Sequence, residues 1–238
     1  MRTMQRLALV ALVLVATALP ASAETLQYNW SMHGGLSWIA GFKFPTSGTG
    51  LLTQNVNGQA VTASLRMTSP KEPSAALYYE STMAAAGERT LASAEGYNWR
   101  TSVRHVKSFF DSVKRVLHLE KTTAKGTEAS DKPWISGDVR DFLTSVQFLR
   151  TNGHRLSAPV QSTIYSSGKA YPVTIAPLGV TTMNNVATQQ FRIQAAPGAA
   201  DKYPGEIRLW ISADARRVPV RIELAQRMAT VRLDLSGV

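Results

Sequence analysis

A mainly β fold, built as one curved antiparallel sheet or incomplete β-barrel with one packed helix around 138–151, is what this chain predicts. Three observations carry the reading. Apolar and polar residues alternate at period two over most of the length. One stretch alone, Val139 to Leu149, combines helical apolar spacing with a following Asn152-Gly153 stop signal. The last three alternating runs each carry an apolar and a polar, largely basic face, as suits a sheet curved around a core and solvated outside.

The chain opens with a basic stretch from Met1 to Arg6, an apolar core from Leu7 to Leu19, and the small-x-small triplet Ala21-Ser22-Ala23 before Glu24. That pattern predicts an export signal peptide over 1–23, cleaved after Ala23, and a periplasmic product. The 13-residue apolar run is too short for the roughly 20 residues that span a bilayer, and no later stretch approaches that length, so no transmembrane anchor is expected. The remaining 215 residues suit a single β-rich domain over 24–238. Cysteine is absent, which removes disulfide staples and thiol catalysis. The formal charge of +10 falls by two without Arg2 and Arg6, and the excess favours anionic partners. In the periplasm these would be lipids or wall polymers; nucleic acid is not expected, since no basic arm is present and the leader places the protein outside the cytoplasm.

Taken in order, Leu26, Tyr28, Trp30 and Met32 share one face, a His33-Gly34-Gly35 turn follows, and Leu36, Trp38, Ala40, Phe42 and Phe44 continue, predicting a hairpin with an aromatic face. Glycines and hydroxyl residues from Thr46 to Gly50 break the pattern before Val61, Ala63, Leu65 and Met67 resume it, and 69–73 reads as a loop. Strands are expected around 75–83 and 90–100. Over Val103 to Lys121 helical and strand spacings compete, and two strands are favoured over a helix. Lys125 to Pro133 reads as a polar loop. The helix then takes Asp138 as N-cap with Asp141 in capping-box spacing, and buries Val139, Phe142, Leu143, Val146 and Leu149. Beyond it, alternation returns at Ile164, at Tyr171 to Ile175, and in a polar strand from 181 to 194. Three clear strands close the chain, around Ile207 to Ile211, Val218 to Leu224 and Val231 to Leu235, with Arg208, Trp210, Arg217, Arg221 and Arg232 on the opposite face.

The run from Asp138 to Arg150 and the run Ile207-Arg208-Leu209-Trp210-Ile211-Ser212-Ala213-Asp214-Ala215-Arg216-Arg217-Val218-Pro219-Val220 resemble a secreted proteobacterial family known as domain of unknown function 3108. Its members pair a D-x-x-S/T-rich helix ending in Leu-Arg with a Trp-Leu/Ile-Ser-x-Asp-x-Arg-Arg-x-Pro-Val stretch. The resemblance implies an incompletely closed barrel similar to the LolA/LolB lipoprotein carriers, with helical material plugging the concave side. It implies no reaction and no cofactor.

The residues themselves point away from catalysis. His33, His105, His118 and His154 are scattered without metal-ligand spacing. Ser166-Ser167-Gly168-Lys169 has the serine-lysine spacing of penicillin-recognising enzymes but lies in a turn rather than on a helix. Asp138 and Asp141 are explained by capping. The aromatic residues Tyr28, Trp30, Trp38 and Phe42 fit either ordinary core or a pocket for an apolar ligand, and Arg208, Trp210, Arg217, Arg221 and Arg232 fit either a self-paired hairpin surface or a cationic stripe for an anionic head group. The expected function is non-catalytic binding of a hydrophobic or amphiphilic envelope ligand, with a lipid or anionic amphiphile as partner. The alternative is a solid-cored structural factor whose basic edge docks an envelope protein. An enzyme is the least supported class, because no nucleophile, base and orienting group come together.

Overall fold

The computed structural model describes residues 22–34, 45–100, 102–133, 138–199, 203–226 and 229–237. The first half of the chain supplies β1 (Ser22–His33), β2 (Ser47–Asn57), β3 (Ala60–Ser69), β4 (Glu72–Ala84), β5 (Thr90–Trp99), β6 (Ser102–Asp111), β7 (Val116–Thr123) and β8 (Gly126–Pro133). A short β9 (Val139–Arg140) leads into helix α1 (Phe142–Asn152) and a 3-10 turn at Gly153–Arg155. The second half supplies β10 (Val160–Ser166), β11 (Lys169–Met183), β12 (Val186–Ala195), β13 (Gly205–Ser212), β14 (Pro219–Gln226) and β15 (Thr230–Leu235). All fifteen form one sheet in the order β8-β7-β6-β5-β4-β3-β2-β1-β15-β14-β13-β12-β11-β10-β9. Pairing is antiparallel except between β9 and β10. The first and last strands therefore meet in the middle of the sheet, while β8 and β9, neighbours in sequence, form its two unjoined ends.

Alternation decides which side chains point into the curve. Tyr28 opposes Gly50 and Leu235, Leu52 opposes Leu65, Leu65 opposes Tyr79, and Ile207 joins Ile193 to Leu224. These rows form the main core, and α1 lies in the concavity with Phe142, Leu143, Val146 and Leu149 buried against them. Phe142 meets Tyr79 edge-on at 5.1 Å between ring centres. The sheet also overlaps itself. Ile164 on β10 joins the main core, whereas Tyr165, on the other face of that strand, packs with Val139 against Phe110 and Leu117 of β6 and β7. Ser108 and Tyr165 share a 2.6 Å hydrogen bond across this seam.

The helix is seated by polar groups at both ends. Asp141 is its N-cap, accepting from the Thr144 N–H at 2.8 Å and from the Ser81 hydroxyl of β4. Its own N–H donates to the Thr90 hydroxyl, which in turn donates to the Thr144 hydroxyl, both at 2.8 Å. Just before it, buried Arg140 donates to the Gly87 carbonyl and the Ser162 hydroxyl and covers the Phe148 ring at 4.1 Å. At the far end Arg150 donates to Glu24 at 2.6 Å, to Gln54 at 2.8 Å and to the Arg217 carbonyl at 2.9 Å, fastening the helix to β1, β2 and the β13–β14 turn.

Several expectations are corrected. The helix expected around 138–151 is present, over 142–152, but its cap is Asp141, not Asp138, because Val139 and Arg140 pair with β10 as a strand before the helix begins. Gly153 has a right-handed φ of −54° and continues into the 3-10 turn; it is glycine because a Cβ would lie 2.6 Å from the Phe191 ring. The break expected over Thr46 to Gly50 is the start of β2, where Gly48 leaves room for the Trp30 ring opposite and a Cβ on it would stand 1.9 Å from the Thr68 carbonyl oxygen; a Cβ on Gly50 would press on Leu233 at 3.3 Å. The polar loop over Lys125 to Pro133 is mostly β8, an exposed edge strand whose hydrophilic residues hide its period. The single polar strand over 181–194 is a hairpin, turned at Asn184 and Asn185, both at positive φ. Val103 to Lys121 does form two strands, β6 and β7. The strand expected over Leu36 to Phe44 lies outside the described residues; β1 pairs with β2 and β15.

Two outcomes follow from the seating of the helix. Phe142→Ala removes a buried ring from the contact between helix and β4, and should cost about 3–5 kcal/mol in urea unfolding; a loss below about 1 kcal/mol would show that the helix does not close the core. Burial pushes the Asp141 carboxyl up to about 6, against the lowering effect of its bonds from Ser81 and Thr144. A carboxyl raised on folding takes up protons between the unfolded and folded values, so its contribution is fully present near pH 4 and fades as pH rises through 6, by on the order of 3 kcal/mol. Asp141→Asn keeps a capping side chain without the charge. The difference in stability between variant and wild type should therefore shift towards the variant from pH 4 to pH 7, and parallel pH profiles for the two proteins would contradict this.

Candidate ligand-binding site

The aromatic residues of β1 divide in role. Tyr28 is wholly buried, its hydroxyl donating to the Pro219 carbonyl at 2.7 Å, and it supports the wall rather than lining a space. Trp30 donates its indole N–H to the Thr68 carbonyl at 2.8 Å and turns its ring towards the end of the barrel away from α1. There, with Met32, Met67, Leu77, Tyr97 and Trp99, it lines an almost wholly apolar hollow of about 250 Å³. Trp38 and Phe42 lie outside the described residues.

A larger apolar space occupies the seam where the sheet overlaps itself. It measures about 440 Å³, and Phe110, Leu117, Val139, Tyr165 and Tyr171 form its walls. Burial and a nearby Glu95 push the Tyr165 hydroxyl up to about 12, although the bonds to Ser108 and to the Gly168 backbone work the other way, so it stays a neutral hydroxyl at neutral pH. Sequence reasoning missed this space. Its walls come from strands far apart in the chain, and only the overlap of the two sheet ends brings them together.

Arg208, Arg221 and Arg232 sit on the opposite face of the sheet from Tyr28 and Trp30, so these two parts of the expected site are not brought together. Arg208 pairs with Glu206 at 2.5 Å, Arg221 with Asp234 at 2.5 Å, and Arg232 approaches the other oxygen of Asp234 at 2.9 Å. Glu223 lies between Arg208 and Arg232 in the cross-strand row. Arg217 is not on a strand; it occupies the β13–β14 turn at φ 49°, its N–H bonded to Asp214. Trp210 is buried on this outer face with the Arg221 guanidinium 5.8 Å from its ring centre. The face is thus a mixed ionic lattice in which acids offset much of the basic charge. The partners were readable in the sequence as Glu206-x-Arg208 and Arg232-x-Asp234, the spacing that places two residues side by side on a strand face.

The remaining candidates resolve into local structure. His33 bonds Ser31, His105 stacks on and bonds Tyr78, and His118 pairs with Asp131 at 2.7 Å. No group of three or more histidine, aspartate or glutamate residues able to hold a metal occurs among the described residues. Ser166 to Lys169 forms the β10–β11 turn, where Ser167 donates both its N–H and its hydroxyl to Glu95, at 2.5 and 2.7 Å. A wide groove of about 710 Å³ crosses the outer face of β2 to β8; hydroxyl and small side chains line most of it, with the exposed Phe109, and four of its charged groups are paired, Lys107 with Glu120 and His118 with Asp131, beside Glu80.

Comparison with known proteins agrees with this architecture. The crystal structure of a beta-barrel-like protein of domain of unknown function DUF1849 from Brucella abortus is similar over 92% of this chain and 97% of that one, with a TM-score of 0.57 at 7% identity, a likeness of fold alone. The lipoprotein LppX of Mycobacterium tuberculosis covers 89% of this chain and 84% of its own at 12% identity, with a TM-score of 0.30. A DUF1329 family protein from Desulfovibrio piger covers 92% and 85% at 6% identity, with a TM-score of 0.27. Neither of these two scores is high enough to bear on the argument. No curated protein matches the chain. The family model described as protein of unknown function (DUF3108) matches residues 37–236, and the chain belongs to that family.

Proposed function

We propose that this protein is an exported, non-catalytic binder of a hydrophobic or amphiphilic ligand of the cell envelope, held against the inner face of its unclosed sheet. The observation that carries the reading is the seam cavity. At about 440 Å³ it falls within the roughly 300–1,000 Å³ range of ligand pockets, and its walls are apolar. The hollow beside Trp30, at about 250 Å³, is smaller than that range and serves in this reading as an accessory surface. Export rests on the leader over 1–23. No helix among the described residues is long and apolar enough to cross a membrane. The main core beneath α1 is filled by its own side chains, which favours a second reading, an interaction factor that would meet an anionic envelope partner through Arg208, Trp210, Arg217, Arg221 and Arg232.

A neutral apolar fluorophore, N-phenyl-1-naphthylamine, separates the two. The binding reading expects saturable fluorescence enhancement at about one probe per chain, weakened by Ala170→Trp, which intrudes on the seam. Absence of saturable enhancement, or enhancement indifferent to Ala170→Trp, would favour the interaction factor.

A further inference from the structure

The seam cavity has charged residues only where it opens to solvent. Its walls accept a hydrocarbon tail, while a hydrated head group cannot follow without losing its water, so the head must rest at the opening. Two exposed lysines line the space there, Lys132 on edge strand β8 and Lys169 at the start of β11. The position of Lys132 is set by backbone, whereas Lys169, paired with Ser166, starts on the face opposite Tyr165 and Ala170 and borders the space with its flexible stem. The Lys132 ammonium donates to the Gly168 carbonyl at 3.1 Å, leaving two of its three N–H groups for other acceptors, and Lys169 is the next residue along. Ser167 and Gly168 both have positive φ, 52° and 85°, which makes the turn tight enough to tuck beneath β7 and β8. A Cβ on Gly168 would meet Leu119 at 3.1 Å in a strained backbone conformation, so this close approach needs glycine. The carboxylate beside the turn, Glu95, is already tied to the Ser167 N–H and hydroxyl.

We propose that Lys132 and Lys169 make the seam selective for single-chain amphiphiles with an anionic head, a fatty acid or an alkyl phosphate; this rests on the apolar-ligand reading above. The tail occupies the space lined by Phe110, Leu117, Val139, Tyr165 and Ala170, alongside the edge-on contact of the Phe110 and Tyr165 rings, and the carboxylate or phosphate oxygens take the lysine N–H donors at the opening. The serine-lysine run from Ser166 to Lys169 is, on this account, a hairpin turn whose last residue supplies a cation.

The test is displacement of the neutral fluorophore at pH 7.5 by decanol, decanoate and decyl phosphate below their micellar concentrations, with acetate and inorganic phosphate as controls without a tail. Two exposed ionic contacts should make the anionic chains bind about tenfold more tightly than decanol. The preference should fall to within about twofold in high salt, and likewise in Lys132→Gln/Lys169→Gln. Acetate and inorganic phosphate should not compete. Equal displacement by decanol and decanoate would overturn the head-group inference while leaving apolar binding intact, as would a preference that survives both salt and the double variant. Competition by inorganic phosphate alone would replace the amphiphile with a free anion and overturn it too. Failure of all three chains to displace the fluorophore would remove the apolar-ligand reading and the inference with it.

Discussion

Everything in this fold depends on α1 being held inside the curve of the sheet. An open fifteen-stranded sheet has an apolar inner face that water would otherwise reach, and the helix covers its middle with Phe142, Leu143, Val146 and Leu149. Apolar contact alone does not fix where along the concavity a helix sits. That position is set by polar groups with single geometric solutions: the Asp141 network to β4 and β5, Arg140 on Gly87 and Ser162, and Arg150 on Glu24, Gln54 and the Arg217 carbonyl. Each is a buried or half-buried charge whose loss of partners would be costly, so the polar contacts act as a register for the helix as well as a bond.

The same arrangement explains where space is left. The sheet outruns the helix, and its ends, β8 and β9, do not pair. Instead the inner face of β6 and β7 crosses the outer face of β9 and β10, joined by the Ser108 to Tyr165 bond. Side chains fitted to a curved surface leave a hollow where two surfaces overlap without interleaving, and the seam is that hollow. The exposed edge β8 is kept from pairing with other chains by its hydrophilic residues, among them Glu128, Asp131 and Lys132, and by Pro133 at its end. The edge that guards against aggregation thus also brings Lys132 to the opening.

Much of the fold was legible because period two survives wherever one face is buried and the other wet. It fails at instructive places. Gly48 reads as a break because what it accommodates, the Trp30 ring and the Thr68 carbonyl, is on other strands. Residues 126–133 show no apolar alternation because neither face of β8 is buried. Asp138 looked like the cap because capping-box spacing depends on local sequence only, whereas the start of the helix was decided by β9 pairing with β10. Of the candidate site, the inward direction of Trp30 was readable from alternation, and the ionic lattice around Arg208 and Arg232 was readable from neighbouring acids. The seam was not, since Phe110 and Tyr165 are brought together by a fold closure that no local pattern encodes.

The central claim is that the working surface of the molecule is the seam rather than its basic outer face. Isotope-labelled protein, titrated with the organic extract of the same protein purified natively from its own envelope, tests this by residue-resolved NMR. The account predicts shifts in the methyl groups of Leu117, Val139 and Ala170, with the backbone amides of Arg208, Arg221 and Arg232 unmoved. Shifts confined to those arginine amides, or an extract that moves no resonance, would contradict it.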